Sequence, residues 1–274
     1  MSDFILPYLL DVVTAPESEN LILAGGLGLR LQYQWLLEEG TQRLIPGFRD
    51  IRATQDMDFF LQMTMFLEKE RASAFRDFLR REQYEAVESA KFFHFTKQVG
   101  ELEVKIDLLA RSPRTSEKVT VSGSRVKSGV ELHGRITPEA FSLDDSPFRL
   151  PLKGTKSNGE SVESSVLVPH PYTWLNMKVR SAADWLKFDK PGGQKHVKDV
   201  YALTAILTEE ELAECRALAE RHRENEEAIR IKQDYEELFG SEDSLGRKEL
   251  MRQVGTIDSN FFEGLQSALG VERD

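Results

Sequence analysis

The spacing of hydrophobic residues divides the chain into a first part with strands and helices and a second part that is helical. Apolar residues at helical intervals, short apolar runs and strict alternation each indicate a different element. They predict helices at 4–13, 27–39, 68–81, 172–187 and 196–203, and strands at 21–24, 52–61, 92–95, 102–109, 119–121 and 166–168. The composition of the segment 112–168 shifts to Ser, Gly, Thr and Pro, and helices follow it. We therefore expect two domains, 1–168 with a β-rich insertion from about 112, and a helical domain 169–274.

The end of the chain is acidic and carries signals for helix ends. Thr208 followed by Glu211 is a capping box, in which each side chain bonds a free backbone N–H at the start of the helix. Gly240 is placed to end a helix. The glutamate-rich faces of this region indicate solvated helix surfaces rather than a site.

Two carboxylates stand one residue apart within 52–61. If this stretch is a strand, Asp56 and Asp58 point to the same face and Met57 points into the core. Carboxylates held this close repel each other unless a cation lies between them, and a divalent ion with oxygen ligands suits the place. The alternative is a polar loop that happens to contain two aspartates.

The strand predicted at 102–109 carries a third carboxylate. Its apolar face is formed by Leu102, Val104 and Ile106, and its polar face by Glu103, Lys105 and Asp107. Asp107 lies near the end of the strand, where open sheets tend to place their catalytic groups. If this strand pairs with the strand of Asp56 and Asp58, three carboxylates converge in the manner of a two-magnesium phosphoryl-transfer site.

A strand, two glycines and a helix follow one another at 21–39. The turn at Gly25 and Gly26 can aim free backbone N–H groups at an anion, and glycine lets a phosphate approach the backbone closely. A plain tight turn explains the same pattern. The fingerprints of dinucleotide-binding and Walker A loops are both missing here.

One histidine lies in an aromatic strand. His94 is flanked by Phe92, Phe93 and Phe95, so a catalytic role and a packed, hydrogen-bonded role are both open. The packed role is the commoner one for a histidine in such surroundings.

Composition excludes several classes of protein. The chain has 36 basic and 46 acidic residues and a net charge of −10, which argues against an extended nonspecific nucleic-acid surface but not against a local basic groove. Cys215 is the single cysteine, so no intramolecular disulfide or cysteine zinc cluster is expected. No signal peptide and no apolar run of membrane-spanning length is evident, and we expect a cytoplasmic protein without a membrane partner.

Three blocks in a fixed order point to a family. They are Gly25-Gly26 at a helix start, the run from Arg52 through Thr54 to Asp56 and Asp58, and the helical pair Lys178-x-Arg180 and Lys198-Asp199-x-Tyr201. This arrangement resembles the DNA polymerase β-like nucleotidyltransferases, and among them the AbiEii-type abortive-infection toxins. The resemblance implies an α+β fold, in which a mixed sheet with flanking helices is followed by a helical C-terminal domain.

The resemblance also implies a role for each matched residue. Asp56, Asp58 and Asp107 would bind Mg²⁺ or Mn²⁺, and Asp107 would help to deprotonate the acceptor hydroxyl. The residues expected to contact the nucleotide are Gly25, Gly26, Arg52, Thr54, Lys178 and Arg180. Asp199 would orient Lys178 or a substrate group. Since phosphates need positive charge, we expect Arg30, Arg52, Lys178, Arg180 and Lys198 to cluster.

The implied activity is transfer of a nucleoside monophosphate from a nucleoside triphosphate to an acceptor hydroxyl. Relatives of this kind act on tRNA ends as toxins paired with an antitoxin, which makes tRNA or another RNA a candidate acceptor and an antitoxin a candidate partner. One alternative is a catalytically inactive nucleotide- or RNA-binding module of the same fold. Another is a sugar-nucleotide pyrophosphorylase, whose opening loop the run 23–31 resembles although its proline and lysine are missing. That alternative expects Asp56 and Asp58 to lie apart from Asp107.

Overall fold

The computed structural model describes residues 4–49, 51, 54, 56–90, 92–188 and 193–271. Within these residues the chain forms ten α-helices and ten strands. The helices are α1 (Leu6–Val13), α2 (Gly25–Glu38), α3 (Thr64–Leu67), α4 (Lys69–Arg81), α5 (Pro171–Phe188), α6 (Lys195–Ile206), α7 (Glu209–Arg221), α8 (Glu226–Phe239), α9 (Leu245–Val254) and α10 (Asn260–Leu269). The strands are β1 (Leu21–Leu23), β2 (Asp56–Leu61), β3 (Glu85–Ala86), β4 (His94–Val99), β5 (Leu102–Ala110), β6 (Thr120–Ser122), β7 (Arg125–Lys127), β8 (His133–Ile136), β9 (Phe148–Thr155) and β10 (Ser161–Val168).

The chain divides into two compact units. The first contains Met1–Leu31, Ala53–Pro138 and Leu143–Pro169, and the second contains Gln32–Arg52, Glu139–Ser142 and His170–Asp274. Helix α2 begins in the first unit, and its later turns belong to the second. The mixed sheet lies in the first unit, and the C-terminal helices α5 to α10 lie in the second.

All ten strands of the first unit join one mixed sheet. The strand order is β6-β7-β8-β5-β2-β1-β10-β9. β4 pairs with the first part of β5 on the same edge where β8 pairs with its last residues, and β3 pairs with β4. β2 and β8 run parallel to β5, and β1 runs antiparallel to β2. The segment 112–168, for which the sequence predicts further strands and loops, thus extends this sheet at both ends.

The core of the first unit is built from the apolar faces that the sequence pattern predicts. Val104 and Ile106 of β5 are fully buried while Glu103 is exposed, which confirms the predicted alternation. Helix α1 packs on the β9–β10 hairpin, where Leu10 lies against Gly154. β4 begins two residues later than predicted, because Phe92 adopts a left-handed backbone conformation (φ 72°) in the turn before it.

The second unit is a helical assembly with an aromatic core. Tyr201 of α6 and Phe239 of α8 both pack against Phe261 of α10, with ring centroids 4.9 and 5.8 Å apart. The predicted capping box at Thr208 and Glu211 is present at the start of α7. Among the described residues, no helix combines the length and the apolar character needed to cross a membrane.

Candidate functional site

Two carboxylates from separate parts of the chain lie side by side in the sheet. β2 pairs in parallel with β5, and Asp58 is the register partner of Asp107. Register partners on neighbouring strands point to the same face. Met57, between the two aspartates of β2, is completely buried, as the sequence predicts. The predicted pairing of these two strands is therefore confirmed, and Asp58 with Asp107 forms the centre of the candidate site.

Asp56 occupies a different environment from Asp58. It is exposed, and its register partner is Lys105, whose ammonium also lies 3.3 Å from the Glu103 carboxylate. The backbone N–H of Asp56 donates to the Thr54 hydroxyl at 3.4 Å. Among the described residues, no three His, Cys, Asp or Glu side chains form a group that could hold a metal ion. The structure thus brings together a pair of carboxylates, with Asp56 two residues away on the same face.

The glycine turn lies directly against this pair. The Ala24 N–H donates to the Asp58 carbonyl oxygen at 2.8 Å, which fixes the end of β1 beside β2. Helix α2 then starts at Gly25, whose φ of 64° is in the left-handed region. A methyl group at Gly25 would overlap the Asp58 carboxylate, so any other residue there would displace that carboxylate in addition to straining the backbone. The first N–H groups of a helix have no partner within it, and this helix start is therefore suited to an anion beside Asp58.

His94 is the site residue that the sequence does not assign. It is the register partner of Asp107 across the antiparallel pair β4–β5, and its Nδ1 lies 2.5 Å from Asp107 Oδ1. Both side chains are about a quarter exposed, so the pair borders solvent. The packed role expected for His94 is correct in kind, but its partner is the candidate catalytic carboxylate. The sequence predicts that His94 lies in a strand. It does not predict the strand register that places His94 beside Asp107.

The remaining candidate residues belong to other parts of the chain. Arg52 lies outside the described residues. Lys178 of α5 donates to Asp199 Oδ2 of α6 at 2.7 Å, and both side chains are more than nine-tenths buried. The two side chains thus form a buried ion pair, and the role of Asp199 in orienting Lys178 for a substrate stays a prediction.

The second cation of α5 has a separate partner. Arg180 bonds the buried carboxylate of Asp234 in α8 at 2.8 Å, and Lys187 bonds the other oxygen of Asp234 at 3.0 Å. Of the five cations expected to cluster, Arg30 belongs to the first unit, and Lys178, Arg180 and Lys198 belong to the second. Their clustering around a phosphate stays a prediction.

The donor types in the first unit suit a hard cation. Asp58 and Asp107 supply carboxylate oxygens, which are the ligands that Mg²⁺ and Mn²⁺ prefer. His94 engages one oxygen of Asp107, and each carboxylate has two. The fit is partial, because Asp58 and Asp107 are register partners on one face of the sheet and Asp56 is two residues from Asp58, but no three-ligand group is formed among the described residues.

Comparison with known proteins does not assign a family. No protein-family model matches the chain, and no curated protein matches it significantly. The site must therefore be interpreted from its own geometry. The pyrophosphorylase alternative expects the aspartates of β2 to lie apart from Asp107, whereas these strands are paired.

The close contact of the glycine turn with Asp58 generates a stability prediction. Gly25→Ala should destabilise the protein by about 2–4 kcal/mol, because it adds a steric overlap to the strain of a left-handed residue. Gly40→Ala is the matched control, since Gly40 has the same φ of 64° and a methyl group there would meet nothing within 4 Å. It should cost only about 1–2 kcal/mol. Urea unfolding measures both values, and equal costs would refute the proposed contact.

The buried ion pair of Lys178 and Asp199 in the second unit leads to a second stability prediction. Lys178→Ala should destabilise the protein by about 3–5 kcal/mol, because it leaves the buried Asp199 charge without its lysine. Replacing both residues, with Lys178→Met and Asp199→Leu, should cost less than the single change. Urea unfolding of the single and double variants gives the coupling between the two residues. A double variant that loses the sum of both single effects would show that the two side chains act independently.

Proposed function

We propose that this protein is a metal-dependent nucleotidyltransferase whose reaction takes place at Asp58 and Asp107. The observation that carries the proposal is the register of β2 and β5, which places the two carboxylates together beside the glycine start of α2. The proposed cation site and the proposed anion site would thus adjoin each other. This combination suits a substrate that arrives as a metal-bound triphosphate.

Each group in the first unit has a role in this proposal. Asp58 and Asp107, with Asp56 nearby, would hold Mg²⁺ or Mn²⁺, which when bound stabilises negative charge on the phosphate and lowers the pKa of the attacking hydroxyl. Gly25 and Gly26 accommodate the triphosphate, because a turn without side chains lets it approach the helix start. His94 holds the Asp107 carboxylate in place.

The proposed reaction is a single displacement at the α-phosphorus. The acceptor oxygen forms a bond to the α-phosphorus. The bond between the α-phosphorus and the oxygen that bridges it to the β-phosphorus breaks, and pyrophosphate leaves. Asp107 takes the proton of the acceptor hydroxyl. The products are pyrophosphate and an acceptor that carries a nucleoside monophosphate.

The roles of the other residues and partners rest on the family resemblance. Lys178 would neutralise phosphate charge while Asp199 orients it, and Arg52, Thr54 and Arg180 would contact the nucleotide. A tRNA acceptor, a toxic effect on the cell, an antitoxin partner and a cytoplasmic location are further expectations from the same source.

A second candidate is a module that binds nucleotide without turning it over. The absence of a three-ligand metal group among the described residues favours it. The two candidates differ in one observable, because a binding module retains nucleotide binding but transfers no label at any concentration of Mg²⁺ or Mn²⁺.

The proposal predicts that Asp58→Asn and Asp107→Asn each lower transfer by about 100-fold or more. The assay follows label from each α-³²P-labelled nucleoside triphosphate into total RNA or protein, in the presence of Mg²⁺ or Mn²⁺. Each variant removes one of two like charges on neighbouring strands, but Asp107→Asn also weakens the bond to His94. The melting temperature of each variant should stay well above the assay temperature, which separates a catalytic loss from unfolding.

Glu103→Gln is the matched control for these variants. Glu103 is on the same face of β5 as Asp107 and is exposed, so the change removes one negative charge without touching the pair. Its transfer rate should stay within about twofold of the wild type. If the wild type and all three variants label acceptors equally, the carboxylate pair has no catalytic role.

A further inference from the structure

Three positive side chains and a histidine form a compact group on β7 and β8, the two strands beyond β5. β7 and β8 are antiparallel, with Arg125 opposite Arg135 and Lys127 opposite His133. Residues that are opposite each other in an antiparallel pair share one face of the sheet. Arg135 is exposed and the other three are half-buried, so all four reach solvent. We name this group the cationic face.

The cationic face continues the face that carries the carboxylate pair. Arg135 is the register partner of Leu109 in β5, and Leu109 shares its face with Asp107 two residues earlier. The other link runs through the turn before β4, where the His133 N–H donates to the Phe92 carbonyl oxygen at 2.6 Å. The Arg125 guanidinium lies over the ring of Phe93, 4.9 Å from its centroid, and Phe93 precedes His94. The cationic face and Asp107 are therefore on the same side of the sheet, with the buried Leu109 between them.

The positive charges of this face have no carboxylate partners in the described part of the chain. None of Arg125, Lys127 and Arg135 forms an ion pair there, whereas Arg76 and Lys153 in the same unit bond Asp77 and Glu163. The pKa of His133 is lowered by burial and by the charges of Lys127 and Arg125, which indicates a positive local potential. Like charges opposite each other in a sheet destabilise it. In a chain with a net charge of −10, such a group is typical of a surface that binds an anion.

The shape of the face suits consecutive phosphates. Arg125 and Lys127 are two residues apart in β7, which separates their backbone positions by about 6.6 Å at about 3.3 Å per residue. The stacking of Arg125 on Phe93 restrains its guanidinium, which can then bind phosphate with less loss of conformational freedom.

We propose that the cationic face is a phosphate-binding site, separate from the glycine turn, that takes consecutive phosphates of one chain. The backbone of a single-stranded polynucleotide is one source of such phosphates, and the triphosphate of a nucleotide is the other. Binding at this face does not depend on catalysis. The further step, in which the bound strand presents its terminal hydroxyl to Asp107, rests on the proposed function.

The test is fluorescence anisotropy with a labelled single-stranded 12-mer, in EDTA and without nucleotide. The double variant Arg125→Gln/Arg135→Gln should raise Kd about 10–100-fold at low salt, and should reduce the slope of log K against log salt by about 1.4, which is 0.7 for each lost phosphate contact. The control Arg76→Gln/Lys153→Gln removes the same charge from cations that have carboxylate partners, and should bind within about twofold of the wild type. The Arg125/Arg135 variant should have a melting temperature equal to or above that of the wild type, because the change removes two like charges that lie opposite each other in the sheet.

A second arm distinguishes the two sources of phosphate. Inorganic tripolyphosphate is titrated calorimetrically into the same proteins. If the 12-mer depends on Arg125 and Arg135, a polynucleotide is the ligand. If only tripolyphosphate depends on them, the face binds a nucleotide triphosphate. If neither ligand distinguishes the Arg125/Arg135 variant from the control, the proposed site does not exist.

The outcome is independent of the proposed reaction. The 12-mer is bound in EDTA and without nucleotide, so its binding does not require the reaction. Binding that depends on Arg125 and Arg135 in a protein that transfers no label would support this site and refute the nucleotidyltransferase. If the Arg125/Arg135 variant transfers label and binds the 12-mer as the wild type does, the cationic face is refuted and the nucleotidyltransferase is supported.

Discussion

The site depends on one constraint, which is that two negative side chains are held side by side on neighbouring strands. Asp58 and Asp107 repel each other, and a sheet would avoid this pairing if the charges alone determined its register. The hydrophobic core determines it instead. Met57 and Ile106, the register partners one position earlier, are both completely buried. A slip of β2 by one residue against β5 would turn Met57 to the face that carries the carboxylates, so the packing of the core fixes the position of Asp58 beside Asp107.

This balance explains why the neighbours of the pair are so restricted. Gly25 has no side chain and leaves room for the Asp58 carboxylate, while His94 bonds Asp107 from the opposite side. The energy that the core gains by burial thus maintains an arrangement that is unfavourable by itself. Strained arrangements of this kind are common where a protein binds a ligand, because the ligand relieves the repulsion.

The sequence predicts these elements well where the signal is local. Alternation along 102–109 shows that Asp107 lies on the polar face, and the strand–glycine–helix order predicts the turn at Gly25. Register is different, because it depends on contacts between residues far apart in the chain. The pairing of His94 with Asp107 and of Arg125 with Arg135 follows from strand neighbours that no local pattern specifies. The start of β4 is also not predicted correctly, since a phenylalanine gives no sign of the left-handed turn at Phe92.

The same limit applies to charged residues. Lys178 and Arg180 look alike in the sequence to Arg125 and Arg135, as cations interspersed in regular elements. In the folded chain the first two bond Asp199 and Asp234, which follow them by 21 and 54 residues. Whether a cation has a carboxylate partner is decided by tertiary packing. For this reason the sequence selects the cations of α5 as candidate binding residues, whereas the structure shows that the cations of β7 and β8 have no carboxylate partners among the described residues.

Net charge is a poor guide to what such a protein binds, because charges act over short distances in salt solution. The screening length is about 8 Å at physiological ionic strength. Neighbouring strands lie about 4.8 Å apart, so β7 is about 10 Å from β5 and about 14 Å from β2. The cations of β7 thus lie beyond one screening length from β5, whereas Arg135 of β8 is only one strand spacing from it. One extended ligand could therefore reach both the cationic face and the carboxylate pair. An acidic chain can therefore carry a site for a polyanion, provided that a sheet segregates its charges along one face.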